Sequence, residues 1–162
     1  MKKSMEIKNV KTWNGHDGIG LNCIVYLNGK RAFEYLDNAN GGGGDISYRI
    51  DKELTKKIED WIDSQPAVVC TEPHAFEYKY NIDNLINDLH QKYTDKKFDR
   101  AKQKKMLTCI IIEHPDKNGY RYYKFPRNLS LIPVDLLKQH IVKIKSGLKL
   151  GEKIVNTNLP TV

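Results

Sequence analysis

The stretch from Ile19 to Ile50 constrains the fold of this chain most, because turn-forming residues interrupt a strand-like pattern in it twice. Asn28-Gly29 separates "IGLNCIVYL" from "KRAFEYL". A two-residue type I′ turn needs positive φ at both central positions, which Asn and Gly tolerate best. Four glycines then separate "KRAFEYL" from "ISYRI". With "MEIKNVKTW" before them, these segments predict a meander of about four antiparallel strands.

Three further segments have the periodicity of helices. The first follows Asp51, a favourable N-cap, and ends before Pro66. In the second, apolar residues recur with the spacing of one helix face: Ile82, Leu85, Ile86, Leu89 and Tyr93. Beyond Thr94 a basic run replaces this stripe, so the helix is either exposed to solvent there or broken. The third is predicted from Pro133 to about Lys145.

The remaining segments complete an α+β fold. "MLTCIIIE", from Met106 to Glu113, is rich in β-branched residues and predicts a buried strand. "YRYYKF" is its predicted hairpin partner across the turn "HPDKNG", and the tail "GEKIVNTNLP" is an edge strand or a docked extension. We expect an antiparallel sheet, made of the meander plus the hairpin, with about three helices in a single domain over residues 1–162. Residues 1–65 and 80–162 are candidate sub-lobes.

Cysteine usage and hydropathy indicate a reducing cytoplasm. The three cysteines, Cys23, Cys70 and Cys109, form no Cys-x-x-Cys pair and lie near no histidine at metal spacing, so neither a disulfide framework nor a metal site is expected. Cys23 and Cys109 lie in apolar runs, where cysteine is usually a small buried hydrophobe. No apolar run follows the lysines at the amino terminus and none reaches the length of a membrane span, so we expect no membrane partner.

The charge is distributed unevenly. Residues 1–91 contain 11 Lys and Arg against 14 Asp and Glu, whereas residues 92–162 contain 16 against 6. A chain with this asymmetry often presents one face to an anionic partner, although a solvated lysine-rich surface would give the same counts.

The glycine-rich loop is either a phosphate cradle or a bent connection between strands. Its glycines are Gly41, Gly42, Gly43 and Gly44. A phosphate-binding loop needs a helix start directly after it, and the nucleotide-hydrolysing kind needs a Lys-Ser/Thr pair. A strand follows here instead, and Asp37 and Asp45 flank the loop and would repel a phosphate. We therefore favour a bent connection and keep a ligand-contacting loop as the alternative.

Several of these motifs together resemble a known group. They are the strand pair with its glycine loop over "GLNCIVYLNGKRAFEYLDNANGGGGDISYRI", the pattern W-x-x-S-x-P, the basic pattern K-x-K-K-x-L-x-C and the terminal "KIVNTNLP". This combination resembles small uncharacterised phage and mobile-element proteins with a strand pair, an N-x-G-x-G-G-type loop and a carboxy-terminal I-x-N-x-x-L element. The resemblance covers most of the chain from Leu21 to Pro160. It implies a phage, prophage or plasmid setting in the cytoplasm of a bacterial host, and no particular chemistry.

No catalytic motif is visible. The five histidines, His16, His74, His90, His114 and His140, are scattered, and no G-x-S-x-G or H-E-x-x-H occurs. His16-Asp17 could place a general base beside a carboxylate, although turn chemistry explains the pair as well. An enzyme with a site assembled from distant histidines stays open as an alternative, and we expect no catalytic residue, cofactor or metal.

Aromatic and cationic residues alternate in the second half of the chain. In "YRYYKFPR", Tyr120, Tyr122 and Lys124 would share one face of a strand, and Arg121, Tyr123 and Phe125 the other. Such faces can stack bases and neutralise phosphates, although the same residues could serve as core and edge protection. The candidate anion-binding residues are Arg121, Tyr123, Lys124, Arg127, Lys97, Arg100, Lys104 and Lys105.

These observations predict a non-enzymatic accessory protein of a phage or mobile element that binds an anionic partner, with nucleic acid favoured. An inhibitor of a host defence protein, a protein that captures a nucleotide signal, and a small enzyme are the alternatives. An exposed edge strand would also make an oligomer plausible.

Overall fold

The structure is a computed structural model that describes residues 4–71, 75–114 and 119–161. It divides into two compact units, residues 1–95 and residues 96–162, which we name the amino-terminal and the carboxy-terminal unit. In the described residues three α-helices accompany antiparallel sheets, which confirms the predicted α+β class. The boundary between the two units lies between Asp95 and Lys96, inside a helix.

The amino-terminal unit is built on a four-stranded antiparallel meander. Its strands, in the order β1-β2-β3-β4, are β1 (Met5–Gly15), β2 (Gly18–Leu27), β3 (Lys30–Asp37) and β4 (Asp45–Arg49). Asn28 and Gly29, between β2 and β3, have φ angles of 52° and 80°. These positive angles confirm the predicted type I′ turn.

A β-bulge in β3 changes the face of the sheet on which Arg31 lies. Val25 pairs with Phe33 and Tyr26 with Arg31, which leaves Ala32 as the extra residue. Strict alternation would place Arg31 on the same face as Phe33. The extra residue instead directs Arg31 towards Tyr26, and Arg31 Nε donates a hydrogen bond to the Tyr26 hydroxyl at 3.1 Å.

Helix α1 (Lys52–Asp63) follows the sheet directly. The Asp51 carboxylate accepts a hydrogen bond from the Leu54 N–H at 3.0 Å, which confirms the predicted N-cap. Sheet and helices share one core, which includes the buried side chains of Cys23, Phe33 and Ile58. After α1 the chain forms a short antiparallel hairpin of β5 (Val68–Cys70) and β6 (Phe76–Tyr78); residues 72–74 of the predicted extended bridge lie outside the described residues.

Helix α2 (Ile82–Met106) runs without interruption through Thr94. Asn81 and Asn84 cap its start reciprocally, since each side-chain oxygen accepts the other residue's backbone N–H, at 3.0 and 3.1 Å. Residues 94–101 are all exposed. The expectation of solvent exposure is therefore confirmed over residues 94–101, whereas Lys102 and Lys105 are half-buried, and a break near Thr94 is wrong.

The carboxy-terminal unit contains a three-stranded antiparallel sheet in the order β8-β7-β9, and a helix. These elements are β7 (Cys109–Glu113), β8 (Tyr120–Lys124), α3 (Val134–Ser146) and β9 (Lys153–Ile154), with a 3₁₀ turn at Leu129–Leu131. The register of β7 and β8 confirms the predicted hairpin. Most of the turn predicted between them, residues 115–118, lies outside the described residues.

Strand β7 is the centre of this unit. Ile110 and Ile112 are buried on one face against α3, and Ile111 is buried on the other face with Met106. The predicted strand started three residues too early, because Met106 is still the last residue of α2 and β7 begins only at Cys109.

The segment after β9 docks on β7 through asparagine side chains. Asn156 Oδ1 accepts the Ile111 N–H at 2.6 Å, and Asn156 Nδ2 donates to the Cys109 carbonyl at 2.9 Å. Asn158 Nδ2 donates to the Met106 carbonyl at 2.9 Å, one of the carbonyls that the end of α2 leaves unpaired. Of the two interpretations of the tail, the docked extension therefore accounts for the residues after the very short β9.

Candidate functional site

The two units differ in formal net charge. Residues 96–162 contain 15 Lys and Arg against 5 Asp and Glu, a formal balance of +10, whereas residues 1–95 contain 12 against 15, a balance of −3. Two carboxylates of the carboxy-terminal unit, Glu113 and Glu152, are held in ion pairs with Lys102 and Arg121. The other cations of this unit far outnumber its other acids, so this unit attracts anions.

Strand β8 presents different chemistry on its two faces. Its register with β7 pairs Tyr122 with Ile111 and Arg121 with Ile112. Tyr120, Tyr122 and Lys124 therefore share the face that α2 covers, and Arg121 and Tyr123 share the face of α3. The predicted alternation is confirmed. It also means that the expected anion-binding residues of this strand are divided between two surfaces.

On the first face, α2 supplies a lysine and a phenylalanine to the tyrosines. The Lys105 ammonium lies 3.7 Å from the centroid of the Tyr122 ring and 5.1 Å from that of Tyr120. The Phe98 ring contacts Tyr120 edge-on, with centroids 6.0 Å apart. We name Phe98, Lys105, Tyr120, Tyr122 and Lys124 the aromatic–lysine face. Phe98 and Tyr122 remain 50% and 47% exposed, so both rings are available to a partner.

On the face of β8 that lies towards α3, the Arg121 guanidinium already has hydrogen-bond partners in Glu152 and Tyr123. Its Nε and Nη2 donate to the two Glu152 oxygens at 3.0 and 2.7 Å, and Nη1 donates to the Tyr123 hydroxyl at 3.0 Å. The pKa of Glu152 falls to about 2, chiefly because Arg121 donates to it and then because the Lys149 N–H does too. A guanidinium with this bidentate partner is a poor choice for a phosphate contact.

Three of the predicted cations form a separate row on α2. Lys97, Arg100 and Lys104 lie at i, i+3 and i+7, on one helix face, and all three are exposed. Among residues 4–71, 75–114 and 119–161 none of the three has an ion-pair partner. We name these residues the basic stripe.

The basic stripe borders the aromatic–lysine face. Around α2, Lys102 contacts Glu113 on β7, whereas Phe98 and Lys105 lie over β8. Consecutive residues of a helix lie about 100° apart around its axis. Lys97 precedes Phe98 and Lys104 precedes Lys105, so both lysines lie about 100° from the side of α2 that faces β8, in the direction away from Lys102. Because β8 is the last strand in its sheet, Lys97 and Lys104 lie on the side of its outer edge, whereas Arg100 lies about 160° from Phe98 round the helix. Arg127 is exposed after the end of β8.

The glycine loop is occupied by a carboxylate of the protein itself. Asp83, in the first turn of α2, accepts hydrogen bonds on Oδ1 from the Tyr35 hydroxyl at 2.5 Å and from the Gly44 N–H at 3.0 Å. Burial, and then this contact with Asp83, raise the pKa of Tyr35 well above its usual value. A Cβ on Gly43 would lie 2.2 Å from Asp83 Oδ2. The loop thus needs glycine to approach Asp83, and the Gly44 N–H that a bound anion would use already has a partner.

His114 and His140 each contact a residue other than a histidine. His140 packs edge-on against Phe125, and His114 lies within hydrogen-bonding distance of the Leu150 carbonyl. His74 lies outside the described residues. In the part of the chain that the structure describes, no group of His, Cys, Asp or Glu side chains could hold a metal ion.

Sequence reasoning missed two residues that change the site. Phe98 was not named, although its spacing of i, i+4 and i+7 with Lys102 and Lys105 indicates a shared helix face. Glu152 was also missed, because nothing local marks it as the partner of Arg121, which lies 31 residues away.

None of the helices over the described residues is long and apolar enough to cross a membrane. Comparison with models of protein families, with curated proteins and with solved structures finds no match. Charge, exposure and contacts of the residues described above therefore carry the functional argument.

Proposed function

We propose that this protein is a non-enzymatic nucleic-acid-binding protein, and that the basic stripe is its main contact with the phosphate backbone. The phage or mobile-element setting, in which it would be an accessory protein, rests on the resemblance of its motifs. The observation that carries the proposal is the row of three exposed cations, Lys97, Arg100 and Lys104, without ion-pair partners among the described residues.

The length of the row suits a polyanion. From Lys97 to Lys104 the helix rises about 10 Å. Duplex DNA carries one negative charge for about every 1.7 Å of its axis, so several phosphates lie within reach of the row. Unpaired surface cations can release condensed counterions from such a backbone, whereas cations with a protein partner, such as Arg121, would first have to give it up.

The test is fluorescence-anisotropy titration of a labelled single strand and of a labelled duplex. Both oligonucleotides should be longer than the roughly 4–16 nucleotides that one OB (oligonucleotide-binding) fold covers. Titrations at about 50 mM and about 200 mM salt measure the electrostatic share of binding, because the logarithm of the association constant falls linearly with the logarithm of the salt concentration. We expect binding to both nucleic acids at the lower salt concentration and a steep loss at the higher one.

A triple variant, Lys97→Ala/Arg100→Ala/Lys104→Ala, tests the assignment to the stripe. Each lost phosphate contact should reduce the salt slope by about 0.7–0.9, so the triple variant should lose about 2–3 in slope. A control that removes the same charge from the amino-terminal unit is Lys11→Ala/Lys52→Ala/Lys57→Ala, three exposed lysines. If the two triple variants weaken binding equally, the basic stripe is not the main phosphate contact. If no oligonucleotide binds at low salt, the proposed nucleic-acid-binding function is refuted.

A further inference from the structure

We infer that the protein selects single-stranded nucleic acid, whose bases stack on the aromatic–lysine face while the basic stripe holds the phosphates. This inference rests on the proposed function and names its substrate class. It draws on a different observation, the exposed aromatic rings of the carboxy-terminal unit. Phe98, Tyr122 and Tyr123 are 50%, 47% and 43% exposed.

Two of these rings lie on one surface together with lysines. Tyr122 and Lys124 are two residues apart on the same face of β8, and Phe98 and Lys105 reach that face from α2. Alternation of exposed aromatic rings and cations is what sequence-tolerant single-strand binding requires, because every base has a π-face and every linkage a phosphate.

The Lys105 side chain shows that a face of the Tyr122 ring accepts a cation rather than apolar packing. Its ammonium lies 3.7 Å from the ring centroid. A lysine stem is long and flexible, so Lys105 can move to a phosphate and leave the ring face to a base. The cation that covers the ring in the free protein would then hold the backbone next to the stacked base.

The position of the rings at the sheet edge favours single strands over duplexes. Tyr122 lies on the outermost strand of its sheet, and two lysines of the basic stripe, Lys97 and Lys104, lie on the side of the outer edge of that strand. In a duplex the bases are stacked on each other, and their flat faces cannot reach a tyrosine ring; unpaired bases can. An acidic peptide without aromatic side chains would satisfy the lysines but would offer the rings nothing to stack on them.

The first part of the experiment uses the unaltered protein. A labelled single strand competes with three unlabelled probes: the same strand, its duplex, and a strand of equal length in which abasic sites replace the bases but every phosphate remains. We expect the normal strand to compete at least about 5-fold better than either the duplex or the abasic strand, the effect of roughly one stacked base. Polyglutamate of equal charge should compete poorly.

The second part compares two exposed tyrosines. Tyr122→Leu keeps an apolar side chain on β8 and removes the stacking ring, and Tyr48→Leu makes the same change on β4 of the amino-terminal unit, where Tyr48 is 63% exposed. We expect Tyr122→Leu to weaken single-strand binding about 5-fold or more and to reduce the preference for bases over abasic sites by a similar factor, since Phe98 remains. Tyr48→Leu should change neither.

The outcomes separate the two proposals. If the abasic strand, the duplex or polyglutamate competes as well as the normal strand, base stacking is refuted, while a salt-dependent loss in the stripe variant would leave the proposed function standing. If no oligonucleotide binds, both fail. If Tyr122→Leu does not fold by circular dichroism, the abasic comparison on the unaltered protein decides alone.

Discussion

Replacing Asn156 tests the main structural role found for the terminal "NTN" sequence. The asparagine amide takes the place of a strand residue beside β7, since it accepts the Ile111 N–H at 2.6 Å and donates to the Cys109 carbonyl at 2.9 Å. Asn156→Ala removes both hydrogen bonds. It leaves one donor and one acceptor of the most buried strand in the carboxy-terminal unit without their partner, since Ile111 is 0% and Cys109 2% exposed.

The expected cost follows from those two groups. Leaving a buried polar group unsatisfied costs about 1–3 kcal/mol. Asn156 is only partly buried, so water can reach part of the vacated space, and each group should cost an amount near the lower end of this range. We expect Asn156→Ala to lower the free energy of unfolding by about 2–4 kcal/mol. The neighbouring exposed residue gives the control, Thr157→Ala, which should stay within about 0.5 kcal/mol.

The measurement is urea unfolding followed by far-UV circular dichroism, together with amide hydrogen exchange. Exchange at the Ile111 amide locates the effect, because that N–H loses its acceptor directly. An Asn156→Ala protein with a change below about 0.5 kcal/mol and a still protected Ile111 amide would refute the argument that the side chain completes the ladder.

Asn156→Asp should make the stability of the protein depend on pH in a way that tests the same hydrogen bonds. The introduced carboxyl can donate to the Cys109 carbonyl only when it is protonated, so its pKa in the folded state should be raised above the unfolded value of about 3.9. Its stabilising contribution is then present below the unfolded pKa and lost as the pH rises through the folded pKa. Relative to the unaltered protein, the variant should lose more stability at pH 7 than at pH 4, and a pH-independent difference would contradict this account.

The remaining predictions concern the loop, an ion pair and the thiols. Gly44→Ala should destabilise by about 1–3 kcal/mol in urea unfolding, because its Cβ would lie 2.2 Å from the Tyr35 hydroxyl. Gly42→Ala, with no atom within 4 Å of the added Cβ, should be neutral; equal effects would argue against a packed loop. The Glu152 pKa is lowered from 4.5 to about 2, so its ion pair stabilises above the unfolded pKa and is lost as the pH falls. Glu152→Gln should therefore flatten the decline of the melting temperature below about pH 4.5, and an unchanged profile would refute the pair's contribution. Cys70, which is partly exposed, should react with a thiol reagent before Cys23, which is buried and whose pKa burial raises to about 12; the reverse order would contradict the core assignment.

The carboxy-terminal I-x-N-x-x-L element shows what a motif alone leaves open. Ile154 and Leu159 pack against the core around α3, and Asn156 hydrogen-bonds β7. The pattern was visible in the sequence as part of a resemblance. Its role in packing became visible only with β7 beside it, because a hydrogen bond across 45 residues has no local signature.

The sequence by itself determined the elements whose causes are local. The Asn28-Gly29 turn follows from the backbone freedom of two adjacent residues, and the cap at Asp51 from one side chain near the first helical amides. The apolar stripe from Ile82 to Tyr93 required a helix, and the alternation in β8 set its two faces. Each of these features depends on residues that are close together in the chain, so a local sequence pattern is enough to predict it.

The tertiary structure decided which charges are available and which loop is occupied. Arg121 and Lys104 look alike in the sequence, but Arg121 meets Glu152 from a distant segment, whereas Lys104 meets no ion-pair partner among the described residues. The glycine loop likewise receives Asp83, which lies 39 residues beyond Gly44. Long-range pairs of this kind depend on how sheets and helices pack, and packing is set by the sum of many weak contacts rather than by any local pattern of residues.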